Sequence, residues 1–163
     1  MFCQDINEIK ALIREWKQQG EKIVFTNGVF DILHLGHVDY LEKSKAVGSK
    51  LIVGINSDSS VKRLGKGDER PINPEFARAT IVAALRCVDA TILFAEDTPF
   101  DLIMEVMPDV LVKGGDYDPE EVDSSKKTYI VGSKEIKQAG GIIAAIPLVS
   151  GYSTTNIVRK LSK

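Results

Sequence analysis

Both histidines of the chain fall in one short segment, His34-Leu35-Gly36-His37. It closely follows Thr26-Asn27-Gly28-Val29-Phe30-Asp31. A helix starting there would aim free backbone N–H groups and the positive end of its dipole at an anion. Three readings are open. One is a helix-capping turn with surface histidines. The second is a metal site, but zinc takes three or four ligands, and there is no third histidine or suitably spaced cysteine. The third is a pair of imidazoles donating to phosphate oxygens at a helix N-terminus. Gly28 and Gly36 would let the backbone approach such a ligand closely. The residue types favour the phosphate reading, with no protein-held metal.

Other turns carry similar chemistry. Asn56-Ser57-Asp58 is polar and enters a helix, with Asp58 either a plain N-cap or a ligand. Lys113-Gly114-Gly115-Asp116-Tyr117 has two adjacent glycines, more than a turn needs. They suit a flat base lying on bare backbone, with Asp116 accepting from ribose hydroxyls. Gly151-Tyr152-Ser153-Thr154-Thr155 is either an ordinary helix start or a ring of hydroxyls around an oligophosphate. Lys62, Arg63, Lys66 and Arg70, diluted by Asp68 and Glu69, read as a solvated loop or a local grip on a small anion. No GxxxxGK[ST] or GxGxxG occurs, and Gly65-Lys66-Gly67 is too short to replace either.

These turns need elements to hold them. A capping box from Asp5 to Glu8 precedes Ile9, Leu12, Ile13 and Trp16 at helical spacing, and Gly20 stops that helix. Short apolar runs at 22–26, 50–55, 90–94, 109–113 and 142–147 read as strands. Helices are expected over 36–47, 74–86, 133–139 and 154–162, with another opened by Thr98-Pro99 and ended by Pro108. About five strands alternating with helices predict an α/β fold, a Rossmann-like, doubly wound parallel sheet. Ligands in such sheets bind beyond the carboxyl ends of the strands. Four of these turns, after the first, second, fourth and fifth strands, lie on that edge. Together they describe a nucleotide site with two helix N-termini for its phosphates.

Composition narrows the classes. The 163 residues are 44% hydrophobic and 27% charged, ordinary for one soluble domain spanning 1–163. No apolar run approaches the ~18 residues of a membrane span, and the first residues show no secretory pattern. Lys and Arg number 21 against 23 Asp and Glu, so nucleic acid is not an expected partner. Cys3 and Cys87 make no disulfide framework. A cytoplasmic setting is expected, without membrane association.

FTNGVFDILHLGH resembles the HxGH signature of the nucleotidyltransferase superfamily, and GYSTT resembles its second phosphate motif. Class I aminoacyl-tRNA synthetases share HxGH, but no KMSKS-like stretch is present. RPINPEFARA, RCVDATILFAEDTP, PDVLVKGGDY and IPLVSGYSTT resemble, more narrowly, the adenylyltransferase domain of ADP-heptose synthase. The similarity runs from about Gly20 to the end. Leu148-Val149 stands where the cytidylyltransferase branch carries Arg-Thr, which argues against a glycerol-3-phosphate enzyme. The run Asp123-Ser124-Ser125-Lys126-Lys127 departs from the shorter lead into VGS expected in the family.

The resemblance implies AMP transfer from ATP to D-glycero-β-D-manno-heptose 1-phosphate, with Mg²⁺ carried on the triphosphate. It implies catalytic roles for His34 and His37. It also suggests Lys45 as a phosphate ligand, although a solvated lysine reads equally well. Thr26, Asn27, Gly28, Val29, Phe30 and Gly36 would bind nucleotide. So would Lys113, Gly114, Gly115 and Asp116, with Gly151, Ser153, Thr154 and Thr155 at the β- and γ-phosphates. Asp31, Asn56, Asp58, Arg70 and Arg78 would form the sugar-phosphate pocket, unless Arg78 makes a helix-surface ion pair. A homodimer and a separate sugar kinase upstream are further implications. Rival readings are a nucleotidyltransferase for another phosphorylated acceptor and a non-catalytic nucleotide-binding module.

Overall fold

The computed structural model describes residues 1–161 apart from Lys66 and Asp68. Two members of the basic stretch, Lys66 and Asp68, therefore lie outside the described residues, as does Ser162 at the end of the last expected helix. The chain runs β1 (Phe2–Cys3), α1 (Ile6–Gln18), β2 (Ile23–Gly28), α2 (Leu35–Ala46), β3 (Lys50–Asn56), α3 (Asp58–Arg63) and α4 (Glu75–Ala83). It continues through β4 (Ala90–Phe94), α5 (Phe100–Val106), β5 (Val110–Gly114), α6 (Ser133–Gln138), β6 (Ile142–Ile146) and α7 (Thr154–Leu161).

The strands form one parallel sheet in the order β1-β4-β3-β2-β5-β6. Six strands replace the expected five or so. The addition is β1, whose two residues pair with Thr91 and Ile92 at the edge. A run that short carries no periodicity to read. Helix α1 starts as its residues predict. Asp5 accepts from the amides of Asn7 and Glu8 at 2.7 and 3.2 Å, and Glu8 reaches back to the amide of Gln4 at 2.8 Å.

Side-chain alternation along the strands builds two cores. Ile23, Phe25, Ile52 and Leu111 leave one face and pack with Ile9, Ile13, Leu102, Ile103 and Ile136 of α1, α5 and α6. Val24, Leu51, Val53, Ile55, Val110 and Val112 leave the other and pack with Tyr40 and Leu41 of α2 and Ala79 and Val82 of α4. Strand β2 is central. From it the chain winds outward through β3 and β4, then returns to place β5 on its other side. That reversal opens a crevice beyond the carboxyl ends of β2 and β5. Among the described residues, no helix is long and apolar enough to cross a membrane.

Candidate active site

The histidine segment sits at this crevice. Between β2 and α2 the chain turns through Phe30, at φ 49°, in the left-handed region that non-glycine residues rarely occupy. A Cβ on Gly28 would lie 2.9 Å from the Phe30 ring. The ring then meets His37 edge-on, with centroids 5.1 Å apart. His34 caps α2 with extended backbone and no side-chain capping bond. Its ring stacks on His37 at 3.8 Å and 19°. Burial pushes the His34 pKa below the ordinary histidine value, which favours the neutral ring. Its Nδ1 is buried without a hydrogen-bond partner among the described residues.

Gly36 explains how a second helix comes close. A Cβ there would lie 3.1 Å from the His34 ring and 3.3 Å from Cβ of Tyr152. The start of α2 is thus packed against the turn that leads into α7. Ser153 Oγ accepts from the Asn156 amide at 3.1 Å, so it caps α7.

These groups face one open cavity of about 840 Å³. The structure brings Asn27, Gly28, Val29, Phe30, Asp31, His34, Gly36 and His37 to it. Asn56 and Arg70 line it, as do Lys113, Gly114, Ser153, Thr154 and Thr155.

Other predicted residues are not brought there. Lys45 lies at the far end of α2, about 16 Å along the axis from His34 at 1.5 Å per residue. Its ammonium bonds Asp89 and the Ser49 carbonyl, below the amino ends of β3 and β4. Thr26 is fully buried and shares a 2.6 Å hydrogen bond with the Tyr40 hydroxyl. Gly115 and Asp116 line a smaller depression with Ala145, Pro147 and Leu148, and only Leu148 belongs to both. Gly151 does not line the cavity; it supplies φ 85° for the turn before α7.

Arg78 and Asp58 pair with each other away from the cavity lining. The Arg78 side chain is completely buried, and no helix-surface pair forms. It donates to the Val29 carbonyl at 2.7 Å, the Asn73 carbonyl at 2.9 Å and Asp58 Oδ1 at 2.8 Å. It therefore ties the β2–α2 turn to α3 and α4. Ser57, one residue earlier than Asp58, caps α3 by accepting from the Ser60 amide. Asp31 is also spoken for. It accepts from the amides of Ile72 and Asn73 and pairs with Arg70. Burial raises its pKa, but those donors outweigh burial and hold the carboxyl below the usual carboxylate range.

Lys113 at the end of β5 is the unusual charge. Its side chain is buried, its ammonium donates to Asn27 Oδ1, and it stands 5.6 Å from the centre of the Tyr117 ring. Burial pushes its pKa down to about 8. Among the described residues no carboxylate pairs with it.

Sequence reasoning missed several lining residues. Thr98 and Pro99 follow β4 and obey the same strand-end rule as the turns that were chosen. Lys127, Tyr129 and Val131 come from the long connection between β5 and α6. Their approach to the cavity had no local signal.

A site built at two helix starts over the carboxyl edge of a parallel sheet is the arrangement in which α/β proteins bind phosphorylated ligands. The chain belongs to the cytidylyltransferase-like family, whose model matches residues 25–160. It is 52% identical over 160 residues to "Bifunctional protein HldE" of a Nitratiruptor species, covering 98% of this chain and 32% of that protein. It is 49% identical over 158 residues to the protein of that name from Methylobacillus flagellatus, covering 97% and 30%. The chain thus spans about a third of the length of these relatives. A crystal structure of the lipopolysaccharide core biosynthesis protein from Thermoplasma volcanium superposes with TM-score 0.61 at 33% identity, covering 82% of this chain and all of that one. Pantoate-beta-alanine ligase from Francisella tularensis, at 15% identity and TM-score 0.63, shares the fold, covering 99% of this chain and 77% of that one. The chain is a nucleotidyltransferase.

Two outcomes follow from the buried charges. Arg78→Leu should lower unfolding free energy by about 3 kcal/mol, because it strands two carbonyls and the Asp58 carboxylate. Chemical denaturation measures this, and a loss under about 1 kcal/mol would mean that the clasp is dispensable. Lys113→Met should do the opposite. At pH 7 the wild-type ammonium is charged folded and unfolded, so folding bears its whole desolvation cost, on the order of 3 kcal/mol for a pKa of about 8 against 10.5. Between those pH values the cost fades as the folded amine loses its proton. The variant should therefore melt higher at pH 7, and the gap should close towards pH 10.5. Equal melting at pH 7 contradicts this.

Proposed function

We propose that the chain transfers AMP from ATP to D-glycero-β-D-manno-heptose 1-phosphate, giving ADP-heptose and pyrophosphate. The observation that carries the reading is the convergence of α2 and α7 at Gly36 and Tyr152, beside a stacked imidazole pair. Two helix starts and two imidazoles suit a polyphosphate. The choice of acceptor rests on the resemblance to the adenylyltransferase domain of ADP-heptose synthase. It is supported by the similarity to HldE and to a lipopolysaccharide core biosynthesis protein. The relatives carry further length and the word bifunctional in their name, which accords with a separate kinase activity forming the acceptor.

The chemistry asks little of a general base. The second pKa of a sugar phosphate lies near ~6, so the nucleophilic oxygen is already ionised at neutral pH. That oxygen forms a bond to the α-phosphorus of ATP. The bond from the α-phosphorus to the bridging oxygen breaks, and its electron pair leaves with pyrophosphate. Positioning and charge stabilisation remain to be supplied. His34 and His37 face the charge that grows on the phosphates. Ser153, Thr154 and Thr155 hold the β- and γ-phosphates. Gly114, backed by Leu148 with no room to spare for a Cβ, offers apolar and backbone surface to adenosine. Asp31, paired with Arg70, shapes part of the cavity wall. ATP enters as its Mg²⁺ complex, the ion held by phosphate and water oxygens. Among the described residues no cluster of three acidic, histidine or cysteine side chains is placed to take it over.

Pyrophosphate release tests the assignment directly. ATP with heptose 1-phosphate should turn over at least tenfold faster than CTP with the same acceptor, or than ATP with glycerol 3-phosphate. Equal or faster release with CTP, or with glycerol 3-phosphate, would sink the assignment. His37→Ala should fold and lose about 10²–10³ in kcat, the usual cost of removing a donor to developing charge. Wild-type turnover in that variant would remove the imidazole from the mechanism.

A further inference from the structure

One cation of the cavity has no part in the chemistry above. Lys113 is buried, yet it lines the cavity. An ammonium has three N–H donors, and Asn27 Oδ1 is its one hydrogen-bond acceptor among the described residues. Arg70, also lining the cavity, is committed to Asp31. Lys127 stands exposed at the rim.

The sheet decides which way Lys113 points. Leu111 packs in the core under α1, α5 and α6, so Lys113, two residues later, leaves the sheet on that same face. Asn27 follows Phe25 in the same way. A Cβ built on Gly54 would meet Phe25, Leu102 and Cβ of Asn27 together, which puts Asn27 on that face too. The starts of α2 and α7 meet on the opposite side, over the core that contains Tyr40 and Val24. The lining of the cavity therefore comes from both sides of the β2–β5 crevice. On the side of the sheet that carries Lys113, the lining includes Thr98 and Pro99 before α5 and Tyr129 and Val131 before α6.

We propose that Lys113 anchors the phosphate of the acceptor, on the side of the crevice opposite the one that holds the triphosphate. This rests on the reading above that the acceptor is a phosphorylated compound. Displacement at phosphorus requires the attacking and leaving oxygens roughly in line, on opposite sides of the reacting atom. Opposite sides of one crevice meet that requirement. The acceptor oxygen bonds to the α-phosphorus from the Lys113 side. Pyrophosphate departs towards α2 and α7 with the electron pair of the broken bond. The assignment moves Lys113 from the nucleotide, where the family resemblance puts it, to the acceptor.

Lys113→Met removes the charge at similar length, and Lys113→Gln keeps a donor for Asn27. Titration calorimetry with a non-hydrolysable ATP analogue, followed by inorganic phosphate into the analogue-saturated protein, reads the two sides separately. In both variants the analogue should bind within about threefold of wild type, and phosphate should bind about ten- to hundredfold more weakly. In turnover, the KM for the phosphorylated acceptor should rise by a similar factor, while the KM for ATP stays within threefold. If the analogue weakens as far as phosphate, Lys113 belongs to the nucleotide and the proposal is overturned. Unchanged phosphate binding in the variants, or no saturable phosphate binding to the saturated wild type, overturns it equally. The calorimetry uses no heptose. A wild-type protein inert towards heptose 1-phosphate would therefore refute the acceptor named above without deciding the role of Lys113.

Discussion

The reversal of winding at β2 is the constraint on which the rest depends. Because β3 and β5 flank the same strand, the connections after β2 and β5 leave in different directions and cannot close over the sheet edge. The gap admits a ligand to backbone that would otherwise be covered. It also lets the two faces of the sheet contribute different chemistry to one cavity. Helices α2 and α7 bring dipoles and hydroxyls to one side. Strands β2 and β5 deliver Asn27 and Lys113 to the other.

Stability is surrendered at this edge and recovered beside it. A left-handed Phe30, a buried ring nitrogen on His34 and a desolvated ammonium at Lys113 each oppose folding. They are held by a frame whose own polar groups are satisfied. Asp31 accepts from two backbone amides and one guanidinium. Arg78 has three acceptors and no contact with solvent. Such a frame fixes the β2–α2 turn without offering its charges to a ligand. Arg78, a cation suited to a sugar phosphate, thus serves the scaffold that positions others.

Much of this was legible in the chain. Strand periodicity, the capping box at Asp5 and glycine stops are local signals, and they give an α/β alternation without knowledge of distant contacts. The strand-end rule then gathers the HLGH, KGG and STT turns on one edge. What misled was distance along elements and competition for partners. Lys45 follows the histidines along α2, but the eleven residues from His34 carry it to the opposite edge, where Asp89 waits. Asp58 and Arg78 have the chemistry of ligands and are spent on each other.

The sequence by itself determined the alternation of strands and helices after β1, the class of fold and the family. These follow from period, turn chemistry and motif, all of which act over a few residues. Only the tertiary structure decided which polar groups remain available. It buried Thr26 against Tyr40, joined Arg78 to Asp58, and drew Thr98 and Lys127 to the cavity across long stretches of chain. It also left Lys113 buried, without a carboxylate among the described residues, on the face away from the histidines. Burial and partnership are properties of packing between segments far apart in sequence, and no local pattern encodes them.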